Sequence, residues 1–98
     1  MAVIYLAAAN EELLDAIAYY ESKETALGAR FLGEVRAAVA RVEELPDTWP
    51  KVSRRCQRML VRVFPYGIIY QQHHGEIHVI AVAILHRREG YWRRRELR

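Results

Sequence analysis

The segment Glu76–His86, EIHVIAVAILH, constrains the fold most, because it is apolar at almost every position from Ile77 to Leu85. A strand with apolar residues on both faces lies in the centre of a sheet and is covered on both sides. The preceding segment, Gly67–Gln72, is also strand-like. The residues between the two, His73-His74-Gly75, are typical of a hairpin turn. The chain is therefore predicted to place a central strand close to its C-terminus.

Two helices are predicted before these strands. Asn10 is the predicted N-cap of the first helix, with Glu11-Glu12 in the first turn, where the helix dipole favours negative charge. This helix is predicted to end near Ser22. The second runs from about Thr25 to Leu45-Pro46, because apolar residues recur at helical spacing and proline cannot continue a helix.

The remaining segments complete a β-α-α-β-β-β order. Val3–Ala7 and Gln57–Phe64 are predicted strands, Pro65-Tyr66-Gly67 is a predicted turn, and the charged tail Arg93–Arg98 is expected to be mobile. Helices segregated from hairpin-connected strands indicate an α+β fold. We predict an N-terminal helical hairpin packed on one face of a mainly antiparallel four-stranded sheet, with the other face free for a ligand.

Length and composition limit the class of protein. The 98 residues, 52% hydrophobic and 28% charged, predict a single globular domain over residues 1–98. No apolar run is long enough to span a bilayer, and no signal peptide is recognisable at the N-terminus. The single cysteine, Cys56, excludes an intramolecular disulfide. A cytoplasmic protein with no membrane contact is predicted.

Charge is distributed unevenly between the two halves. Residues 1–50 carry four Lys/Arg against nine Asp/Glu, whereas residues 51–98 carry eleven against three. The half that contains most of the strands is therefore the basic half. A basic surface attracts phosphates or an acidic protein partner, although it can also be a merely solvated face. Ten of these eleven cations are arginines, which bind phosphate or carboxylate in a planar fork and stack on rings.

One group of side chains in the basic half is able to carry chemistry. Arginine stabilises charge on a phosphate, and histidine or tyrosine moves a proton, so the group has the parts of a metal-free ribonuclease. Tryptophan, tyrosine and arginine are equally the preferred anchors of protein interfaces. Composition does not separate the two readings. The group comprises Arg58, Arg62, Tyr70, His86, Arg87, Arg88, Tyr91 and Trp92.

Neither a metal site nor a cofactor is predicted. His73, His74 and His78 lie near one turn without further ligands to complete a zinc set, and a polar hairpin tip is the preferred interpretation. No phosphate-binding glycine motif and no nucleophile motif is present. Arginines near Cys56 are able to lower its pKa, but an incidental cysteine is the favoured reading.

Several segments along the chain form a recognisable ordered set. They are Ala16–Tyr20, Phe31–Val35, Arg62–Tyr70 (RVFPYGIIY), Ile80–Arg88 (IAVAILHRR), and Tyr91-Trp92 followed by Arg93–Arg95. In these segments the chain resembles the ParE/RelE superfamily of toxins from type II toxin–antitoxin modules. The resemblance covers nearly the whole chain in order, and it implies the same β-α-α-β-β-β fold.

The resemblance implies two alternative activities. ParE-like members inhibit DNA gyrase, whereas RelE-like members cleave mRNA on the ribosome without a metal. Both are neutralised by a cognate antitoxin. An inactive interaction module is a third alternative, and a homodimer is left open. The Phe-Pro-Tyr, His-Arg-Arg and Tyr-Trp patterns are nearer to the ParE side, so gyrase inhibition is the first expectation.

The resemblance also assigns roles to residues. Arg87 matches the arginine that follows the last strand in the RelE pattern, and Tyr91 loosely matches the tyrosine of that pattern. The RelE pattern also has an arginine in strand three, but the corresponding position here, near Ile68, is apolar. In the RelE-like alternative His86, Arg87 and Tyr91 are catalytic, with Lys51 or Arg55 assisting. The predicted target- or nucleic-acid-binding residues are Arg54, Arg55, Arg58, Arg62, Tyr70, Arg88 and Trp92.

Overall fold

The computed structural model describes Met1 to Arg98 and confirms the β-α-α-β-β-β order. β1 runs parallel to β4, and the other two strand pairs are antiparallel, which gives the sheet order β1-β4-β3-β2. The predicted α+β class and the central last strand are confirmed. No helix has the length and apolar character needed to cross a bilayer. The elements are β1 (Val3–Tyr5), α1 (Ala7–Lys23), α2 (Leu27–Glu44), β2 (Cys56–Leu60), β3 (Tyr66–His73), β4 (Glu76–Ile84) and a 3-10 turn at Arg93–Arg95.

The first helix starts at Ala7, and Asn10 is not its N-cap. Leu6 alone separates β1 from α1, and the Asn10 N–H donates to the Leu6 carbonyl at 2.9 Å. Alanine is the strongest helix former, so the run of alanines before Asn10 extends the helix back to the strand. As a consequence, Glu12 lies in the second turn and not in the first.

The two helices form the predicted hairpin, joined by a turn that Glu21 organises. Its carboxylate accepts the backbone N–H groups of Ala26 and Gly28, both at 3.0 Å. This turn makes α2 begin at Leu27, not at Thr25. Gly28 is required here, because a Cβ would lie 2.7 Å from the carbonyl oxygen of Ile17. The helices therefore pack closely where the chain reverses.

A β-bulge in β4 shifts by one residue which positions of its apolar run face each side of the sheet. The register between β3 and β4 shifts so that Tyr70 pairs with Val79 and Ile69 pairs with Ala81, which leaves Ile80 as the extra residue. Val79 packs in the core beneath the two helices, whereas Ile80 and Ala81 belong to a second cluster on the opposite face of the sheet. β4 is apolar on both faces because each face packs against one of the two clusters.

The C-terminal segment covers the second face of the sheet, so the predictions of a free face and a mobile tail are wrong. Trp92 is only 3% exposed and packs with Cys56, Ile69 and Ile80. Beyond it, the Gln71 side chain donates to the Leu97 carbonyl at 2.7 Å and accepts the Leu97 N–H at 2.8 Å. The charged segment Arg93–Arg98 is held in place because the buried Trp92 indole and the Gln71 side-chain amide anchor it.

The turn between β2 and β3 lies earlier than predicted. β2 ends at Leu60, and the Val61 N–H donates to the Tyr66 carbonyl at 2.9 Å, so that Tyr66 already belongs to β3. Val63 lies inside this turn with φ 73° and is 74% exposed. The second hairpin turn follows the prediction. His74 and Gly75 both have positive φ, as a two-residue turn between antiparallel strands requires.

Candidate functional site

The predicted site begins just after β4, with His86, Arg87 and Arg88. β4 itself ends at Ile84, which is earlier than the predicted end at His86. The Leu85 N–H still donates across the sheet to the Pro65 carbonyl at 2.9 Å, and the chain then turns, with the Arg87 N–H donating to the Ile84 carbonyl at 3.1 Å. His86, Arg87 and Arg88 are exposed in this turn. The His86 imidazole makes no hydrogen bond, so nothing orients it for proton transfer.

Glu12 is the centre of a polar network that ties this segment to α1. Its carboxylate accepts the Tyr91 hydroxyl at 2.6 Å, and Arg95 donates to both of its oxygens at 2.9 and 3.3 Å. It also accepts the Val82 N–H at 3.1 Å and Arg87 Nη1 at 3.3 Å. β1 is only three residues long and pairs with β4 no further than Val79. Glu12 therefore supplies the acceptor that a longer strand would have offered to Val82.

The Tyr91 hydroxyl is committed to this network. Burial raises its pKa, and the hydrogen bond to Glu12 and the charge of Glu12 raise it further, so the hydroxyl stays protonated and donates. The Arg87 guanidinium lies 3.7 Å from the centre of the Tyr91 ring, and that of Arg95 lies 5.2 Å from it. Burial lowers the pKa of Arg95, but the hydrogen bond and charge of Glu12 outweigh it, and the net direction is upward.

The three residues predicted to be catalytic, His86, Arg87 and Tyr91, lie in different environments. Tyr91 is held by Glu12, His86 makes no hydrogen bond with the network, and Arg87, whose side chain is 51% exposed, is its most exposed member. Ile68, at the position of the RelE strand-three arginine, is 1% exposed in the helix-side core. Of the three residues, Tyr91 and Arg87 both donate to Glu12, and His86 has no hydrogen-bond partner.

Two predicted contact residues lie in the interior. Tyr70 is 0% exposed, and its hydroxyl donates to the Pro46 carbonyl at 2.6 Å. Burial, with a smaller contribution from Asp47, raises the pKa of Tyr70 to about 12. Trp92 lies in the second core, as described above. Both side chains are buried, so neither is accessible to a partner in this fold, contrary to the expectation that they bind a target.

The predicted contact arginines do reach the surface. Arg54, Arg55, Arg62 and Arg88 are exposed, and Arg58 is half-buried. Arg55 Nη1 donates to the Leu97 carbonyl at 3.4 Å, which brings the connector before β2 to the C-terminus. Arg58 and Arg88 line a small cavity of about 90 Å³ beside Trp92. None of these arginines forms an ion pair.

The histidine cluster and the cysteine provide no catalytic group. The ring of His73 lies 4.0 Å from that of His74 and 5.7 Å from that of His78, and no group of three or more ligating side chains is placed to hold a metal ion. Burial and the neighbouring Glu96 raise the pKa of Cys56 to about 12, so the nearby arginines do not create a thiolate.

Glu12 is the residue of this cluster that sequence reasoning missed. The sequence predicted it only as a dipole partner at the helix start. A usable signal was present, because Glu12 lies three residues after Ala9 and four before Ala16, which are both buried on the inner face of α1. A carboxylate on the apolar stripe of a helix needs a buried partner, and Arg95 is that partner.

The fold, a helical hairpin on a mixed four-stranded sheet with a basic and aromatic C-terminal segment, together with the match to a family model places the chain in the ParE/RelE toxin superfamily. A family model described as the ParE toxin of the type II toxin–antitoxin system, parDE, matches residues 3–91, so the chain belongs to the ParE toxin family.

One solved structure, of the chromosomal ParDE TA system from P. aeruginosa, contains a chain that superposes with a TM-score of 0.64 at 14% identity. The match covers 87% of this chain and 96% of that chain, and it shows a common fold. Comparison with curated protein sequences gives no match.

Proposed function

We propose that this chain is the growth-arresting toxin of a type II toxin–antitoxin pair in the cytoplasm, that it binds and inhibits DNA gyrase, and that a cognate antitoxin neutralises it. Membership of the ParE family supports the toxin role. The exposed arginines support contact with another macromolecule, because arginine is enriched in protein interfaces and supplies several directed donors.

The hydrogen bond between Tyr91 and Glu12 is the observation that favours binding over RNA cleavage. A nuclease that used Tyr91 would need its hydroxyl free to exchange a proton with RNA, but the hydroxyl donates to a carboxylate at 2.6 Å and has a raised pKa. Arg87 also forms an ion pair with the Glu12 carboxylate, at 3.3 Å. The cluster is thus better suited to present a rigid, cationic surface than to perform acid–base chemistry.

The test is a supercoiling assay with purified gyrase and the purified chain, with primer extension on ribosome-bound mRNA in parallel. We expect supercoiling to be inhibited and mRNA to stay intact. Arg88→Gln removes an exposed contact cation and should weaken inhibition, whereas Arg30→Gln, on an exposed site of α2, should not. New mRNA ends at A-site codons with normal supercoiling would instead establish the RelE-like activity. No growth arrest on expression would leave an interaction module.

A further inference from the structure

The two faces of the sheet carry opposite charge. The helices α1 and α2 lie on one face, and residues 7–44 include eight acidic side chains against four cationic ones. Residues 86–98, here called the basic segment, cover the other face through Trp92 and include six arginines against two glutamates. The difference in charge between the two halves of the sequence is therefore a difference between two surfaces of the molecule.

Most arginines of the basic segment are accessible to a ligand. Two of the six are paired with Glu12, as described above. Arg88, Arg93 and Arg94 are exposed, and none of them forms an ion pair. These three line a cavity of about 420 Å³, in which Glu89 is the only acidic residue. Three accessible positive charges thus converge on one cavity and outnumber its carboxylate.

Two successive backbone turns hold these arginines together. The Tyr91 N–H donates to the Arg88 carbonyl at 3.3 Å, and the Arg93 N–H donates to the Gly90 carbonyl at 3.0 Å. Gly90 has φ 76°, and a Cβ there would lie 2.5 Å from Arg93 Nε, so the Arg93 side chain lies directly against the turn. Trp92 anchors both turns in the core beneath them. The cations are therefore in place before a ligand arrives.

The connector before β2 adds cations to the same surface. Ser53 Oγ donates to the Glu96 carboxylate at 2.6 Å, and Arg55 Nη1 donates to the Leu97 carbonyl at 3.4 Å. These contacts place the exposed Arg54 and Arg55 beside the end of the basic segment. The cationic surface therefore combines residues that are about 40 positions apart in the chain.

The chemistry of this surface favours a polyanion over an acidic protein. Protein interfaces depend on aromatic or apolar anchors, but Trp92 is 3% exposed and the Tyr91 ring is covered by Arg87 at 3.7 Å. No large apolar side chain of the basic segment is exposed. Single-stranded nucleic acid also needs exposed rings, on which its bases stack. The phosphates of a duplex need only the planar forks of arginine, and protein–duplex interfaces are likewise polar and strongly positive.

We propose that the basic segment binds the phosphodiester backbone of double-helical nucleic acid, independently of its sequence. Arg88, Arg93 and Arg94 contact phosphates, and Arg54 and Arg55 extend the contact along the duplex. The acidic helices lie on the far face, so the charge distribution orients the chain with its basic segment towards the polyanion. The inference goes beyond the proposed function, because it assigns a ligand that the chain binds without gyrase or an antitoxin.

The test measures binding of the purified chain to fluorescein-labelled duplexes by fluorescence anisotropy. The probes are two DNA duplexes of unrelated sequence and one RNA duplex, each of about 20 base pairs. At physiological salt we expect a Kd of about 10–100 μM and equal affinity for the two DNA sequences. With about four phosphate contacts, affinity should fall about 100-fold between about 50 and 200 mM salt. Comparison of DNA with RNA shows which duplex supplies the phosphates.

Two triple variants of equal net charge assign the binding to this surface. The first neutralises the cavity through Arg88→Gln, Arg93→Gln and Arg94→Gln. It should lower the slope of log affinity against log salt by about 3 and weaken binding at about 50 mM salt at least about 30-fold. The second neutralises exposed sites of the helices through Lys23→Gln, Arg30→Gln and Arg36→Gln.

The helix variant should bind within about threefold of the original chain at about 100 mM salt, because its sites lie beyond the screening length from the duplex. All six side chains are exposed, so both variants should fold, which circular dichroism checks. The single substitution Arg88→Gln, which should lower the slope by about 1, keeps the test decisive if the triple variant fails to fold.

Equal losses in the two triple variants would overturn the inference, because net charge alone would then explain the binding. Affinity that does not change with salt, or tighter binding of a single-stranded oligonucleotide than of either duplex, would also contradict it. Competition by polyglutamate as effective as that by duplex DNA at equal charge concentration would make an acidic protein the ligand instead. Gyrase takes no part in the titration, so this outcome and that of the supercoiling assay are separate.

Discussion

Tyr91 donates its hydroxyl to Glu12 at 2.6 Å, and this contact joins residues 79 positions apart in the chain. The same carboxylate binds Arg95 and accepts the Val82 N–H of β4, which has no partner in β1. The contact therefore fastens the C-terminal segment to α1 and seals the edge of β4 beyond β1. Part of the aromatic and basic cluster that looks chemically active in the sequence has a structural task.

Glu12→Gln tests that structural task. The substitution removes the charge that compensates Arg95, which is largely shielded from water, and weakens the acceptors for Tyr91 and Val82. We expect the free energy of unfolding to fall by about 2 kcal/mol, less than for a fully buried pair because both partners keep some exposure. Urea unfolding followed by circular dichroism measures it.

The neighbouring Glu11 provides the control, because it is exposed and forms no hydrogen bond or ion pair with Arg95, Tyr91 or Val82. Glu11→Gln should change the free energy of unfolding by no more than about 0.5 kcal/mol. Equal effects of Glu11→Gln and Glu12→Gln would show that the network does not hold the C-terminal segment.

Tyr91→Phe separates the structural role from catalysis. The variant keeps the ring beneath Arg87 and loses only the hydroxyl, so we expect a loss of about 1 kcal/mol in stability and full growth arrest in an induced culture. Arrest is compared at matched levels of soluble protein. Loss of arrest in a folded Tyr91→Phe variant would mean that the hydroxyl transfers a proton, and the nuclease alternative would then replace gyrase inhibition.

Stability should decline at alkaline pH because of Cys56 and Tyr70. Burial, the largest cause, and nearby carboxylates raise the pKa of Cys56 from 9.0 to about 12 and that of Tyr70 from 10.0 to about 12. Since the folded state holds both protons more tightly than the unfolded state, their contribution is complete below about pH 9. It is lost as the pH rises towards about 12. The other tyrosines with raised pKa values act in the same direction.

The combined variant Cys56→Ala, Tyr70→Phe checks this dependence. It should be less stable than the original chain at neutral pH, because Tyr70 loses its bond to Pro46, but its stability should fall less steeply above about pH 9. Urea midpoints across this range measure the slope. Parallel slopes for the two proteins would contradict the assignment of the titrating groups.

The sequence predicted those parts of the fold that local patterns determine. The apolar run of β4 indicated a central strand, and the helical period of α2 together with Pro46 located that helix almost to its ends. The His74-Gly75 turn followed from the conformations that glycine permits. Each of these features depends on residues that are close together in the chain.

The features that were missed depend on residues far apart in the chain. Arg95 lies among charged neighbours, and only its contact with Glu12, 83 positions earlier, keeps it in place. Tyr70 was predicted to lie on the surface, because the residues next to it in the sequence indicate neither its strand pairing nor its hydrogen bond to the Pro46 carbonyl. In the same way, a bulge at Ile80 is not visible in a run that is apolar on both sides.

Val63→Gly should stabilise the chain. Val63 has φ 73°, a left-handed conformation that costs a β-branched residue about 1–3 kcal/mol, and its side chain is 74% exposed, so removing it sacrifices little packing. Glycine adopts this conformation without strain, although its greater freedom in the unfolded chain offsets about 0.5–1 kcal/mol. We expect a net gain of about 1 kcal/mol in the free energy of unfolding.

Val61 in the same connection serves as the matched control, because it is buried in the helix-side core. Val61→Gly should lower the free energy of unfolding by about 2–4 kcal/mol, through the cavity it leaves and the freedom of glycine. Urea unfolding of the two variants side by side decides the matter. A loss of stability in Val63→Gly would mean that the turn between β2 and β3 does not store backbone strain at this residue.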